Sequence, residues 1–322
     1  MTEIVVVDVG GTNARFAIAK LRGGKTEFSA IRRYGTADHS SLSAAWQSFA
    51  RDLGGSLPRA ASIAVAGGLG GETVKLANSP WLVRPSSLPE ELGLEQLTLV
   101  NDFGAMAHAV EALPASDLEL ISGPPIGLPD EGVITIIGPG TGLGVAMVLR
   151  RGGQCHVIET EGGHIDFAPL DSIEERILDR LRARHFRVSA ERIVSGPGLA
   201  NIYEALAAIE GVPSRIRDDA TLWSDAIDGS DPLASTALDR FCMSFGSVAG
   251  DAALTQGASA VVITGQLSQR IAARLRNGGF SHRFQSKGRY RSRMEAMPIM
   301  LCRHPEPGLF GAAAAFKKEH LS

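Results

Sequence analysis

The sequence predicts an α/β protein of two related lobes, on three observations: a length beyond one core, an excess of glycine, and a strand, glycine loop and strand unit that occurs twice. The chain has 322 residues and a mass of 33.9 kDa, where one core usually takes about 100–150 residues. Two domains with a cleft between them are expected. Glycine supplies 37 residues, about 11 % of the chain, against a usual ~7 %. That excess asks where the backbone must turn with positive φ or let something approach closely.

The first copy of the unit is the buried-strand run Ile4-Val5-Val6-Val7, the polar turn Asp8-Val9-Gly10-Gly11-Thr12-Asn13, and the strand Arg15-Phe16-Ala17-Ile18. It returns as Val133 to Ile137, Gly138-Pro139-Gly140-Thr141-Gly142-Leu143-Gly144, and Val145 to Leu149. Gly10 and Gly140 occupy equivalent places, and two copies of one supersecondary unit argue for two α/β lobes facing each other. Between the copies, Ala61 to Ala66 reads as a strand ending in Gly67-Gly68, and Leu97 to Val100 as a strand ending at Asn101-Asp102. A helix follows, with Phe103, Met106, Ala107, Val110 and Leu113 as its apolar face and Pro114 closing it. Farther on, Leu238, Phe241, Cys242, Phe245, Val248, Ala249 and Ala252 mark a long core helix in which Gly246 and Gly250 admit another element. A strand from Ala260 to Thr264 leads into Gly265 and a helix from about Leu267. The run from Ser281 to Arg293, with five Lys/Arg, reads as an exposed basic loop. Pro307 to Gly311 starts a last helix, which is expected to pack on the first lobe. The predicted domains are residues 1–113 plus 303–322, and 114–302.

Bulk composition excludes several classes. Lys+Arg 32 against Asp+Glu 35 gives a net charge of −3 and a pI near 6.3, so no basic field attracts nucleic acid or an anionic membrane. The 44 % hydrophobic and 21 % charged content and mean hydropathy of +0.05 are those of a soluble globular chain. Cys155, Cys242 and Cys302 are odd in number and far apart, which suggests neither a disulfide framework nor a zinc site. No signal-like leader precedes Ile4 and no apolar run approaches the ~18 residues of a membrane span. A cytoplasmic protein is expected.

Glycine loops serve several chemistries, and spacing separates them. A dinucleotide fingerprint needs G-x-G-x-x-G between a strand and a helix. Here Val145 stands where the third glycine should be, and both loops lead into strands. Gly24-Lys25-Thr26 resembles the end of a P-loop, but the first glycine of that motif would fall on Ala19, so the segment reads as a hairpin turn. What remains is a glycine hairpin presenting backbone N–H groups and Thr/Asn side chains, suited to an anion such as phosphate. Asp8 beside it could hold Mg²⁺ directly or through water. Asp102, at a strand end and helix start, reads equally as a cleft carboxylate or as a helix N-cap. Glu191 could be a first-turn acid complementing a helix dipole, Glu161 a turn carboxylate, and His164 a satisfied histidine beside a strand.

Six motifs then stand in order: Asp8-Val-Gly-Gly-Thr-Asn-Ala-Arg15, Asn101-Asp102-Phe103, Gly138-Pro-Gly-Thr-Gly-Leu-Gly144, Glu161-Gly-Gly-His164, Ser189-Ala-Glu191-Arg-Ile-Val-Ser-Gly-Pro-Gly198 and Pro307-Gly-Leu-Phe-Gly311. Over nearly the whole chain this resembles the bacterial ATP-dependent glucokinase family, within the hexokinase, actin and Hsp70 ATPase fold. The resemblance implies a two-lobed actin-like ATPase (ribonuclease H-like) fold, with a cleft between a small α/β domain and a larger α+β domain. It implies ATP with Mg²⁺, D-glucose as acceptor, glucose 6-phosphate for glycolysis as product, and commonly a homodimer. Asp102 would be the general base. Asn101, Asp102, Glu161, His164 and Glu191, with Asn78 as a further candidate, would bind the sugar. Asp8, Gly10, Gly11, Thr12, Asn13, Gly140 and Thr141 would meet the phosphates, Asp8 through the metal, and Gly265 would lie near the nucleoside. One departure is Gly265-Gln266, where the family usually has two glycines. His164 is followed by no cysteine cluster, so no structural zinc is expected. The competing readings are a kinase of mannose or an N-acetylated amino sugar, a polyphosphate-dependent kinase, a sugar-responsive regulator without turnover, and a filament-forming actin-like protein.

Overall fold

Two mixed sheets organise the chain in the computed structural model, which describes residues 2–76, 81–215 and 218–321. The chain divides into two units, Met1–Leu113 with His304–Ser322, and Pro114–Arg303. In the first unit, β1 (Thr2–Val9), β2 (Asn13–Arg22), β3 (Lys25–Gly35) and β4 (Ala60–Val65) are followed by a small hairpin, β5 (Val74–Lys75) with β6 (Leu82–Val83), and by β7 (Gln96–Asn101). The main sheet has the order β3-β2-β1-β4-β7. Strands β1 to β3 are antiparallel neighbours, while β4 runs parallel to β1 and β7 parallel to β4.

The unbroken apolar run of β1 follows from burial on both faces. Successive side chains point to opposite sides, so Val5 and Val7 join Phe16, Ile63 and Phe49 of the helix Leu42–Leu53 on one face. Ile4 and Val6 join Ala17, Ala19 and, from the helix Pro307–His320, Leu309, Ala313 and Phe316 on the other. The last helix therefore packs within the first unit. Gly23 and Gly24, at φ +52° and +87°, form a two-residue turn between the paired Arg22 and Lys25. The P-loop lookalike is a hairpin.

The helix Asp102–Ala112 corrects the predicted apolar face. Its buried residues are Gly104, Ala105, Ala107, Ala109 and Val110, whereas Phe103, Met106 and Leu113 are only half-buried. The small side chains are buried because the helix Pro307–His320 approaches so closely that a Cβ on Gly311 would run into the Ala105 carbonyl. Periodicity in large apolar residues misses a contact made by small ones.

In the second unit, β8 (Leu118–Ser122), β9 (Gly132–Pro139), β10 (Leu143–Arg151), β11 (Gln154–Thr160), β12 (Ala260–Ile263) and β13 (Ile299–Cys302) take the order β11-β10-β9-β12-β13-β8. Three antiparallel strands, β9 to β11, are extended by β12 parallel to β9 and β13 parallel to β12. That is the arrangement of the first sheet, with β8 added antiparallel at the edge. The repetition visible in the glycine loops is thus a repetition of whole sheets.

The helix Pro232–Gln256 forms the second core with Phe241, Phe245 and Val248. A Cβ on Gly246 would run into the Phe280 carbonyl, and one on Gly250 would lie 2.7 Å from the Phe284 carbonyl oxygen. The partner element is the helix Phe280–Gln285, so the basic run is not an exposed loop. Phe280 and Phe284 are fully buried. Arg283, 6 % exposed, pairs with Asp171 and, at 3.3 Å, with Glu174. Lys287 pairs with Asp251 at 2.7 Å and donates to the Ser247 carbonyl at 3.0 Å. The basic residues masked two phenylalanines four apart, one turn of an apolar face.

Two predictions follow from this packing. Arg283→Ala leaves the buried Glu174 and the partly buried Asp171 without their shared cation, so it should destabilise the protein by about 3–5 kcal/mol in chemical denaturation; an exposed loop arginine would cost under ~0.5 kcal/mol. His108, on the helix Asp102–Ala112, is held neutral by burial and by Lys318, its pKa lowered from 6.5 to about 4. Below pH 6.5 the unfolded chain takes up this proton while the folded chain does not, so up to about 3 kcal/mol of stability is lost between pH 6.5 and 4. Thermal melts of His108→Gln should show a flatter decline over that window than those of the wild type.

Candidate active site

Parallel pairing brings the first set of predicted residues to one sheet edge. Val9 pairs with Val65 and Val65 with Asn101, so Asp8, the Gly10–Asn13 loop, Gly67 and Asn101-Asp102 emerge together at the carboxyl ends of β1, β4 and β7. That is where open α/β sheets bind ligands. The loop closes on itself through Gly10 N–H donating to the Asn13 carbonyl at 2.9 Å. Buried Thr36 braces it from behind, its hydroxyl donating to the Gly11 carbonyl at 2.8 Å and its N–H to the Thr12 carbonyl at 2.9 Å. Thr12 and Asn13 stay exposed.

Asp8 is 14 % exposed, with Arg15 at 3.5 Å. Arg15 and Arg33 both reach Glu306, at 3.3 and 3.2 Å. Burial pushes the Asp8 carboxyl above the usual range, Arg15 opposes this, and Glu306 adds to it. A Cβ on Gly308 would lie 2.5 Å from Asp8 Oδ2, so the glycine makes room for the carboxylate. Among the described residues no group of three or more His, Cys, Asp or Glu could hold a metal. A single carboxylate does suit Mg²⁺ arriving with a nucleotide, since that ion keeps waters and phosphate oxygens as its other ligands.

The structure decides which residue caps the helix. Asn101 is the N-cap, accepting from Phe103 N–H at 2.8 Å and Gly104 N–H at 3.1 Å, while its Nδ2 donates to the Gly67 carbonyl at 3.1 Å. Asp102 is the first helical residue, half-buried, with Oδ1 accepting from Phe103 N–H at 2.9 Å. Asn78 lies outside the described residues.

The second set gathers in the other unit. Thr264 N–H donates to the Ile137 carbonyl at 2.9 Å, and a Cβ on Gly138 would run into Thr264. Gly265, at φ +92° and ψ 150° and 3.2 Å from the Pro139 carbonyl oxygen by its absent Cβ, needs to be glycine. Gln266 follows as the first residue of the helix Gln266–Arg270. Gly140 N–H donates to the Gly142 carbonyl at 2.8 Å, and Gly140 and Thr141 are exposed. Positive φ does not explain the glycines of either loop: Gly10, Gly11, Gly138, Gly140 and Gly142 all lack it. A Cβ on Gly140 would meet nothing within 4 Å, so the protein's own packing does not require glycine there.

Glu161 ends the approach from β11, and a single turn, Gly162–His164, presses on the start of β10, where a Cβ on Gly163 would collide with the Leu143 carbonyl. Glu161 Oε2 and His164 Nε2 are 4.0 Å apart, with side chains 65 % and 56 % exposed. Residues 165–167 pair with 188–190 through Ala190 N–H to the Ile165 carbonyl at 2.8 Å and Phe167 N–H to the Val188 carbonyl at 3.0 Å. This pairing delivers Glu191, on the turn Ala190–Arg192, to Leu143 N–H, which its Oε2 accepts at 2.9 Å. The Glu161–His164 pair and, on the neighbouring turn, Glu191 can accept from and donate to hydroxyls.

The family model described as Glucokinase matches residues 5–319. The chain belongs to the glucokinase family. A curated glucokinase of Zymomonas mobilis is 56 % identical over 319 residues, covering 99 % of this chain and 98 % of that protein. One of Stenotrophomonas maltophilia is 39 % identical over 316 residues, 97 % and 94 % of the two chains. Among solved structures, a glucokinase from an Antarctic psychrotroph superposes with a TM-score of 0.83 at 32 % identity over 99 % of both chains. A ROK family glucokinase from Streptomyces griseus, in complex with glucose and AMPPNP, shares the fold at a TM-score of 0.66 and 17 % identity, over 97 % and 98 % of the chains. The α/β architecture with mixed sheets is that of glucokinases. Among the described residues no helix is long and apolar enough to cross a membrane.

Several residues escape a sequence reading of this family's site. Thr36, which braces the first loop, and Glu306, which links Arg15 and Arg33, sit outside the glycine-rich motifs and carry no local signal. Gly308 lies inside a quoted motif, but its reason, the Asp8 carboxylate, is visible only in three dimensions. Gly308→Ala should shift that carboxylate and lower kcat/KM for ATP on the order of 10–100-fold, as read in steady-state kinetics with varied ATP.

Proposed function

We propose that this glucokinase family member transfers the terminal phosphoryl group of ATP, bound with Mg²⁺, to the 6-hydroxyl of D-glucose, yielding glucose 6-phosphate and ADP. The observation that carries the reaction is the full-length likeness to curated glucokinases, at 56 % identity over 99 % of the chain for one of them. The hydroxyl oxygen attacks the γ-phosphorus, the bond to the β,γ-bridging oxygen breaks, and the hydroxyl proton passes to Asp102 late in the transfer. Its place at the first turn supports this role. The helix N-terminus favours a negative charge there, and the Asn101 cap fixes the backbone that aims it.

The other roles belong to the same proposal. Glu161, His164 and Glu191 hold the remaining sugar hydroxyls, with Asn101 contributing through its cap and its amide N–H, and Asn78 as a further ligand. Gly10, Gly11, Thr12, Asn13, Gly140 and Thr141 receive the phosphates, and Gly265 lies near the nucleoside. Mg²⁺ would offset phosphate charge, and Asp8 is the residue that would hold it, directly or through water. A cytoplasmic homodimer completes the reading, supported by what the family resemblance implies.

A coupled ADP-release assay over glucose, mannose and N-acetylated amino sugars, with ATP and with polyphosphate, should give turnover highest for glucose with ATP. Sugar binding without turnover of any hexose would instead favour a regulator. Asp102→Asn should lower kcat about 10²–10⁴-fold while the glucose Kd from titration calorimetry stays close to wild type. Retained turnover would reduce Asp102 to a structural residue.

A further inference from the structure

The Gly140–Gly142 turn has little to hold it from within. Within it Gly140 N–H donates to the Gly142 carbonyl at 2.8 Å, and Gly140 and Thr141 are exposed. A single neighbouring segment, residues 191–196, grips both ends. Glu191 Oε2 accepts Leu143 N–H at 2.9 Å, and Leu143 is the first residue of β10, paired with Pro139 across the turn. Gly196 N–H donates to the Gly140 carbonyl at 2.7 Å.

That segment is itself anchored. Ile193 and Val194 are buried, and the Trp223 indole, 4 % exposed, donates its N–H to the Gly196 carbonyl at 2.9 Å. The fit is tight enough to dictate sequence. A Cβ on Gly142 would run into the Glu191 carboxylate, so Gly142 is glycine because Glu191 is there and not because a ligand needs the space.

We infer that Glu191 is a positioning residue for the phosphate-facing turn as well as a sugar ligand: Oε2 holds Leu143 N–H and sets the turn, while Oε1 is left for a sugar hydroxyl. This rests on the reading above that the turn meets the phosphates of ATP. One carboxylate then serves both substrates, and the turn is arranged for ATP before any sugar is present. A hydrogen bond between a carboxylate and a backbone N–H is among the stronger ones. Removing a negative charge near a phosphate site would by itself tighten anion binding, so weaker binding after its removal marks the grip and not the charge.

The test uses the full chain without sugar, titrated calorimetrically with AMPPNP and Mg²⁺, alongside amide hydrogen exchange of peptides spanning residues 138–145. Glu191→Ala should lose exchange protection in those peptides and bind AMPPNP about tenfold more weakly. Glu191→Gln keeps an oxygen for Leu143 N–H but loses the charge, so it should retain protection and bind AMPPNP at least as tightly as the wild type, while binding glucose more weakly. Gly142→Ala keeps the carboxylate but displaces it, and should behave as Glu191→Ala does. Unchanged protection in Glu191→Ala and in Gly142→Ala overturns the inference. Lost protection with unchanged AMPPNP affinity leaves the grip standing and refutes the nucleotide reading of the turn. Should Glu191→Ala fail to fold, judged by exchange elsewhere in the chain, Gly142→Ala and Glu191→Gln decide between these outcomes.

Discussion

Register between parallel strands is the constraint on which the chemistry of the first unit depends. Val9 opposite Val65, and Val65 opposite Asn101, puts three chain exits at one level. Each exit then does something different: β1 turns back through the glycine loop, β4 runs out into Gly67, and β7 passes straight into a helix. Asn101 ties two of them together, because the amide that caps the helix also donates to the Gly67 carbonyl. A slip of one strand by one residue would invert its buried faces and separate the carboxylate of Asp102 from the loop of Gly10. The burial of Ile4 and Val6 on one face and Val5 and Val7 on the other is what makes such a slip costly.

How much could be read without coordinates depends on whether a residue's partner is near in sequence. The paired glycine loops, the strands around them, the long second-unit helix with Gly246 and Gly250, and the Gly23-Gly24 hairpin all carry their reasons locally, in alternation, periodicity or turn chemistry. The segment 281–293 did not, because its charges are satisfied by Asp171, Glu174 and Asp251, far away in the chain. The helix after Asn101 misled for a different reason. Its contact face is made of glycine and alanine, which hydrophobic periodicity underweights. For the site, the residue types were legible as motifs, and Asp102 read equally as a cleft carboxylate or a helix cap until the hydrogen bonds showed that the cap is Asn101. The braces at Thr36 and Glu306 had no sequence signal at all.

The glycine excess divides along physical lines. Turn glycines such as Gly23, Gly24 and Gly265 are there for backbone angles. Gly138, Gly142, Gly246, Gly308 and Gly311 are there because another atom occupies the space of a side chain. Gly140 has neither reason within the protein, as is also true of Gly55, Gly68, Gly70 and Gly127, so it is its place in the repeated strand-loop-strand unit that sets it apart. Sorting glycines by what excludes a Cβ thus accounts for those fixed by packing or by backbone angle.

Completion of the first unit by the helix Pro307–His320 carries a consequence for synthesis on the ribosome. The face formed by Ile4, Val6, Ala17, Ala19 and Ala105 is covered by Leu309, Ala312, Ala313 and Phe316, which are made only after the whole second unit. Residues 114–303 contain all the strands of their own sheet and are translated in one uninterrupted stretch. The earlier-made unit must therefore wait, with one apolar sheet face bare, until the helix Pro307–His320 has emerged, so its N-terminal strands are a part of the nascent polypeptide in need of protection from aggregation.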